Sequence, residues 1–115
     1  MNTKYNHLII DGLECDKQKL DDYGTIKKLL DELPEKIAMK RLSKPMIWRG
    51  SPHLPGLTGV VVIETSHIAF HTFTDTGKVN IDLYSCKDFD NDMVVNEFRN
   101  AFGIKKMIVK GLRRV

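Results

Sequence analysis

Residues 78–86, KVNIDLYSC, alternate between polar and apolar side chains, and this pattern restricts the chain to a fold built on a β-sheet. Successive side chains of a strand point to opposite faces, so Val79, Ile81 and Leu83 share one face and the polar residues between them share the other. The segment therefore predicts a strand with one buried face. Two more runs of strand-forming residues come directly before it, at 59–64 and 66–73.

The remaining elements follow from spacing and from the residues that begin or end helices. Apolar residues at three- and four-residue intervals predict a helix over 17–33 that ends at Pro34. A second helix is predicted over 91–102, with Asp90 or Asn91 as N-cap and Gly103 as C-cap. Further strands are predicted at 5–13, at 36–50 with an interruption at Pro45, and at 105–112. The order β-α-β-β-β-β-α-β predicts an α+β two-layer sandwich, with a mostly antiparallel sheet and two helices on one face.

The 115 residues, 13.2 kDa, are enough for one domain, and we expect residues 1–115 to fold as a single unit. Apolar residues at 42% and charged residues at 29% exclude a disordered chain. No apolar run approaches the ~18 residues of a membrane span, and the first residues lack the pattern of a signal peptide. We therefore expect a cytoplasmic protein that does not contact membranes. Because one layer of this size cannot easily wall a pocket on all sides, we also expect a homodimer.

The charge pattern argues against a nucleic-acid partner. The net charge is +3, and residues 1–65 and 66–115 share the charge almost evenly. The basic C-terminal end lacks the interleaved aromatic residues of a nucleic-acid surface, so we interpret it as a solvated strand edge. The two cysteines and four histidines show no zinc-site spacing, and we expect no metal. The chain also has no nucleotide-binding loop and no nucleophile elbow.

The length of the hairpin loop near Gly77 decides which side chains lie opposite each other. A three-residue loop, 75–77, with Gly77 in the left-handed conformation gives pairs whose numbers sum to 152, and it sets Ser66 opposite Cys86. A two-residue loop gives a sum of 151 and turns Cys86 to the other face. We expect the three-residue loop, with Ser66 on the polar face of the sheet. His71 is five residues from Ser66 and points to the opposite face of a straight strand.

The stretch GVVVIETSHIAFHTFTDTGKVNIDLYSC at 59–86 resembles the core of the prokaryotic S-adenosylmethionine decarboxylases. That family has approximately G-V-V-V-I-x-E-S-H-x-x-x-H-T-W-P-E-x-G-Y-x-x-x-D-x-F-T-C in this region. The N-terminal HLIIDGLECD also resembles the family's opening strand. The resemblance covers nearly the whole chain and is densest over residues 58–86. It implies the same α+β fold and a small-molecule substrate.

The resemblance implies a self-processing enzyme that makes its own cofactor. Ser66 would attack the preceding carbonyl, and cleavage after Thr65 would leave chains 1–65 and 66–115, with Ser66 converted to a pyruvoyl group. This carbonyl would form a Schiff base with S-adenosylmethionine and accept electrons as carbon dioxide leaves. The product supplies aminopropyl groups for spermidine and other polyamines. His71 corresponds to a processing histidine, Cys86 to the thiol that protonates the product, and Thr58 to a processing hydroxyl.

Two departures from the family pattern concern the substrate. Glu64 stands one position earlier than the family's glutamate, and Thr65 takes that glutamate's place before the reactive serine. On a strand this shift would send the carboxylate to the opposite face. Phe73 and Asp75 replace the family's Trp and Glu, and Phe73 keeps an aromatic ring for stacking on adenine. By the resemblance to these family positions, we expect Glu64, Phe73 and Asp75 to contact the substrate. Two alternatives stay open: an arginine-type amino-acid decarboxylase, and a non-cleaving homologue that binds a ligand or partner without catalysis.

Overall fold

A computed structural model describes residues 4–115 as one antiparallel sheet with helices packed on one face. The strand order across the sheet is β2-β3-β4-β5-β1-β6, and every neighbouring pair is antiparallel. This architecture confirms the predicted α+β sandwich. The elements in chain order are β1 His7–Leu13, α1 Lys17–Leu20, α2 Tyr23–Lys36, β2 Met46–Arg49, β3 Leu57–Ile63, β4 Ser66–Phe73, β5 Lys78–Tyr84, α3 Asn91–Phe102 and β6 Lys106–Leu112.

The helices differ from the prediction near residue 21 and at Pro34. Asp22 caps a new helix by accepting a hydrogen bond from the backbone of Thr25, so the predicted helix 17–33 is split into α1 and α2. Residues 4–115 therefore contain three helices where two were predicted. Pro34 does not end α2, which continues to Lys36. Pro34 lies two residues before the end of α2, so its missing N–H removes one backbone hydrogen bond from the last turn of the helix.

Of the predicted strand 36–50, only Met46–Arg49 near its end forms a strand of the sheet, and this strand pairs with β3. The preceding residues form an irregular segment along the end of β3. There the Lys40 carbonyl accepts a hydrogen bond from the Glu64 backbone at 2.9 Å, and Arg41 forms an isolated bridge with Ile63. This segment is anchored by tertiary contacts that local sequence patterns do not reveal.

The core lies between the helices and one face of the sheet. Alternate residues of β1, β4 and β5 point into it, as the two-residue period requires. The rings of Phe70 and Phe102 pack with centroids 5.8 Å apart, and Phe98 stacks on Phe102 at 6.3 Å. No element covers the other face of the sheet in residues 4–115, and we call it the open face. It carries the alternate side chains, among them Trp48, Thr58, His67, His71, Asp82 and Tyr84.

The predicted register of the β4–β5 hairpin is wrong. Phe73 pairs with Lys78, so paired numbers sum to 151 and the loop has four residues, 74–77. Gly77 is left-handed, at φ 73°, as expected. Thr74 does not pair with Lys78, because its N–H donates to the Pro55 carbonyl instead. Ser66 therefore lies on the helix-covered face with Ile68 and Phe70. The polar face of β5, on which Ser66 was expected, is the open face and carries Asn80, Asp82 and Tyr84.

Within residues 4–115 no helix is both long and apolar enough to cross a bilayer.

Candidate active site

Glu64 and Thr65 form a tight turn that joins β3 to β4 and presents Ser66. Ile63 pairs with Ser66, so the turn has only two residues. Thr65 adopts φ 52°, in the left-handed region that β-branched residues rarely enter. Its hydroxyl donates to the Glu64 carbonyl at 2.7 Å. Ser66 begins β4 with 7% of its surface exposed, and the turn thus holds a nearly buried hydroxyl next to the Thr65–Ser66 bond.

Ser66 and Cys86 meet at this end of the sheet. The Cys86 N–H donates to the Ser66 Oγ at 3.0 Å. The predicted juxtaposition is therefore present, although the predicted register is not. Because β5 ends at Tyr84, Cys86 lies beyond the ladder, where strand alternation no longer fixes its direction. After β5 ends, the chain turns so that the backbone N–H of Cys86 reaches the Ser66 hydroxyl.

The Cys86 thiol is exposed and chemically distinct from Cys15. Hydrogen bonding to the Thr65 side chain, with a smaller contribution from Ser66, lowers the pKa of Cys86 below that of an ordinary thiol. Desolvation acts in the opposite direction but does not cancel this effect. Burial raises the pKa of Cys15, which belongs to the core. Cys86 is thus the more reactive of the two thiols.

The thiol opens into a surface cleft of about 360 Å³ that is also lined by Glu64 and Thr65. We call this the Cys86 cleft; its other lining residues are Ala38, Met39, Lys40 and Lys87. Glu64 was expected to point to the opposite face of the sheet from Thr65. Because both residues belong to a turn, strand alternation does not separate them, and both reach this cleft. A larger depression of about 690 Å³, beside the start of α3, contains none of the predicted site residues.

Thr58 and His71 form a second pair on the open face. They are direct partners in the β3–β4 ladder, and Thr58 Oγ1 lies 2.9 Å from His71 Nδ1. His71 is exposed, whereas Ser66 lies at the start of the same strand on the other face. Five residues of strand correspond to about 16 Å. The predicted placement of Ser66 and His71 on opposite faces is confirmed, and one chain does not bring the two pairs together.

Phe73 and Asp75 lie at the far end of β4 from Ser66. The Lys78 Nζ stands 4.7 Å from the centre of the Phe73 ring and covers one of its faces. Asp75 lies in the hairpin loop, where its backbone carbonyl accepts a hydrogen bond from the Lys17 side chain at the start of α1. Within one chain these two predicted substrate residues are therefore separate from the Cys86 cleft.

The sequence prediction missed a cluster of His7, Asp82 and His67 on the open face. Each histidine Nε2 lies 2.7 Å from a different oxygen of the Asp82 carboxylate. Burial alone would raise the pKa of Asp82, but the hydrogen bonds from His7 and His67 outweigh it and hold this pKa below the ordinary value. A correct register would have revealed the cluster, because pairs summing to 151 place His67 and Asp82 on the same face.

No group of three or more His, Cys, Asp or Glu side chains in residues 4–115 is arranged to hold a metal ion. The Asp82 oxygens are instead engaged by the two imidazoles. The side chains near the Thr65–Ser66 bond that can take part in a reaction are the Ser66 hydroxyl, the Cys86 thiol and the Glu64 carboxylate.

Comparisons with known proteins identify the family of this chain. The family model described as S-adenosylmethionine decarboxylase matches residues 6–115. An S-adenosylmethionine decarboxylase proenzyme of Clostridium botulinum (strain Langeland) is 28% identical over 109 residues, which cover 94% of this chain and 91% of the relative. The proenzyme of Bacillus velezensis is 30% identical over 101 residues, covering 88% and 78%. This chain therefore belongs to the S-adenosylmethionine decarboxylase family.

A solved structure has the same fold as this chain. The crystal structure of the adenosylmethionine decarboxylase from Aquifex aeolicus superimposes with a TM-score of 0.75, covering 98% of this chain and 95% of that chain at 23% identity. The relatives named here are proenzymes of one activity. Nothing in these comparisons favours an arginine-type decarboxylase or a non-catalytic binding protein.

The contrast between the two thiols gives a direct test of the site. With limiting iodoacetamide at pH 7, native protein should be alkylated at Cys86 at least about tenfold faster than at Cys15. Thr65→Val removes the hydroxyl that lowers the Cys86 pKa, so it should slow alkylation at Cys86 and shift its pH profile upward. Peptide mass spectrometry over pH 6–9 measures both rates. Equal reactivity of the two native thiols would contradict the described environment of Cys86.

Proposed function

We propose that this protein is a self-cleaving, pyruvoyl-dependent S-adenosylmethionine decarboxylase. Its chain is cut between Thr65 and Ser66, and its product supplies aminopropyl groups for polyamine synthesis. The observation that carries the proposal is the placement of Ser66 Oγ, 3.0 Å from the Cys86 N–H, immediately after the tight turn. One small region thus holds both the cofactor precursor and the thiol that the reaction requires.

The chain's own groups suit the processing chemistry. The Ser66 Oγ attacks the Thr65 carbonyl carbon, the C–N bond breaks, and an ester replaces the amide. Loss of the Ser66 Cα proton then expels the Thr65 carboxylate and leaves a dehydroalanine, which water converts to a pyruvoyl group with release of ammonia. The Cys86 N–H holds the serine oxygen in place before the attack. His71, oriented by Thr58, transfers the protons.

Ser66 also fits its later role at the start of the second chain. A pyruvoyl group formed at this position would supply a carbonyl that accepts electrons during decarboxylation. The Cys86 thiol lies beside this position and returns a proton to the product carbon. Glu64 in the same cleft provides a carboxylate for the hydroxyl or cationic groups of the substrate.

A homodimer completes the site. Thr58 and His71 lie on the open face and cannot reach Ser66 of their own chain, so we assign their contact with the Thr65–Ser66 bond to a second copy. The open face also exposes large apolar side chains that an interface would cover: Met46, Trp48, Val62, Ile108 and Leu112. Packing two open faces would bury these side chains. The Ser66 side chain points toward the helices, but Thr65 is exposed in the turn at the end of the sheet, so His71 of the second copy would approach the Thr65–Ser66 bond from that end. Phe73 and Asp75 can then approach the partner's substrate in the same way.

Cleavage and turnover provide separate tests of this function. Intact mass spectrometry should show two fragments, 1–65 and 66–115, in the wild type and a single full-length chain in Ser66→Ala. Cys86→Ala should still cleave but release carbon dioxide from S-adenosylmethionine on the order of 10²-fold more slowly, because it lacks the proton donor. A full-length wild-type chain after prolonged incubation would contradict self-cleavage. Carbon dioxide release from arginine and not from S-adenosylmethionine would contradict the proposed substrate.

The shared site predicts complementation between two inactive variants. Ser66→Ala has no nucleophile, and His71→Ala should cleave at least about 100-fold more slowly than the wild type. Co-expressed with different tags, they form mixed dimers in which His71 of the first variant faces Ser66 of the second. The His71→Ala chain should then be cleaved, as read by tag-specific mass spectrometry. If it stays intact in mixed dimers while the wild type cleaves, the site is not shared.

A further inference from the structure

The residue before the scissile bond is held in an unfavourable backbone conformation. Among residues 4–115 only Glu14, Ala38 and Thr65 combine a side chain with positive φ, at 52°, 58° and 52°. Thr65 alone of the three is β-branched, and its Cβ substituents crowd the backbone in this region. Asparagine and glycine enter the left-handed region at much lower cost.

Neighbouring elements prevent the turn from relaxing. On one side, Ile63 and Ser66 are paired partners, which limits the turn to two residues. On the other, the Glu64 N–H is bound to the Lys40 carbonyl at 2.9 Å, and Ser66 Oγ is bound to the Cys86 backbone at 3.0 Å. The Thr65 hydroxyl donates to the Glu64 carbonyl and closes the turn from within. The strain at Thr65 is thus maintained by contacts from three separate segments.

Strain of this kind raises the energy of the uncleaved chain specifically. Cutting the Thr65–Ser66 bond leaves Thr65 as a chain end, free to leave the left-handed conformation. Attack by Ser66 also lengthens the bond that holds Thr65 in the turn, so part of the strain is released in the transition state. Only the released part accelerates cleavage.

We infer that Thr65 is a positioning residue for self-processing, whose strained backbone in the two-residue turn accelerates cleavage of the Thr65–Ser66 bond. This inference rests on the proposed function, since it presupposes that the bond is cut. It explains why a residue other than the expected glutamate is compatible with processing: the drive comes from the backbone of the turn. The Thr65 side chain need not contact the substrate in this role.

Substitutions at position 65 separate strain from side-chain chemistry. Thr65→Asn and Thr65→Gly relieve the left-handed strain and should cleave about tenfold more slowly than the wild type, the rate equivalent of ~1.4 kcal/mol. Thr65→Val keeps the branched Cβ and loses the hydroxyl, whereas Thr65→Ser keeps the hydroxyl and loses the branch. Strain predicts that Thr65→Val cleaves faster than Thr65→Ser. Quenched time points read by intact mass spectrometry give all the rates.

A second measurement detects the strain without cleavage. In the uncleavable Ser66→Ala background, Thr65→Asn should raise Tm by about 5 °C, because strain is removed from the folded state. Glu14→Asn is the matched control, since Glu14 has the same φ of 52° but lies in the turn after β1. It should also raise Tm, yet leave the cleavage rate of the otherwise wild-type chain unchanged.

The outcomes distinguish the two proposals. A wild-type chain that never cleaves overturns the proposed function, and this inference with it. If the wild type cleaves and Thr65→Asn cleaves at the same rate, the inference is overturned and the proposed function is not. The inference also fails if Thr65→Ser cleaves faster than Thr65→Val, because the hydroxyl would then be the active feature. An unchanged Tm for Thr65→Asn in the Ser66→Ala background would show that no strain is stored there.

Discussion

The antiparallel register that joins β3, β4 and β5 decides which side chains of this protein can meet. Pairing of Ile63 with Ser66 leaves only two residues for the turn, and this limit places Thr65 in a left-handed conformation directly before Ser66. Pairing of Phe73 with Lys78 turns the Ser66 side chain toward the helices and sets Asp82 and His67 on the open face. A slip of one residue would exchange the two faces.

The same register divides the proposed chemistry between two places. The serine and the thiol lie together at the end of the sheet, where Cys86 leaves the ladder and its backbone binds the Ser66 hydroxyl. The Thr58–His71 pair lies about 16 Å away along β4 on the open face. The proposed dimer would bring these two places together. One chain supplies both the contact between Ser66 and Cys86 and the turn that holds Thr65 at positive φ.

Local signals in the sequence were sufficient for most of the fold. The bounds of β4 and α3 match the predicted 66–73 and 91–102, because uninterrupted patterns and the caps Asp90 and Gly103 define them. The hairpin register was not predictable, because a left-handed Gly77 is compatible with more than one loop length. The deciding bonds, from Thr74 to Pro55 and from Cys15 to Gly77, are tertiary. The break at Asp21–Asp22 was missed because apolar spacing continues across it.

The candidate site was predictable in part and for mixed reasons. The resemblance identified Ser66 and Cys86, and the structure brings them together beyond the end of β5, not through the expected pairing. The pairing of Thr58 with His71 was not foreseen, although both residues were named. The cluster of His7, Asp82 and His67 was missed entirely, since its recognition depends on the register. Residue types were thus easier to predict than their neighbours in space.

If Ser66 becomes a carbonyl-bearing cofactor, as we propose, the second fragment must react with reagents that trap carbonyl groups. Purified wild-type protein is treated with phenylhydrazine, and the 66–115 fragment is sequenced by mass spectrometry. We expect one hydrazone per fragment, located on residue 66, with no free amino group at that end. A fragment that begins with an unmodified serine, or a chain without any reactive carbonyl, would contradict the assignment.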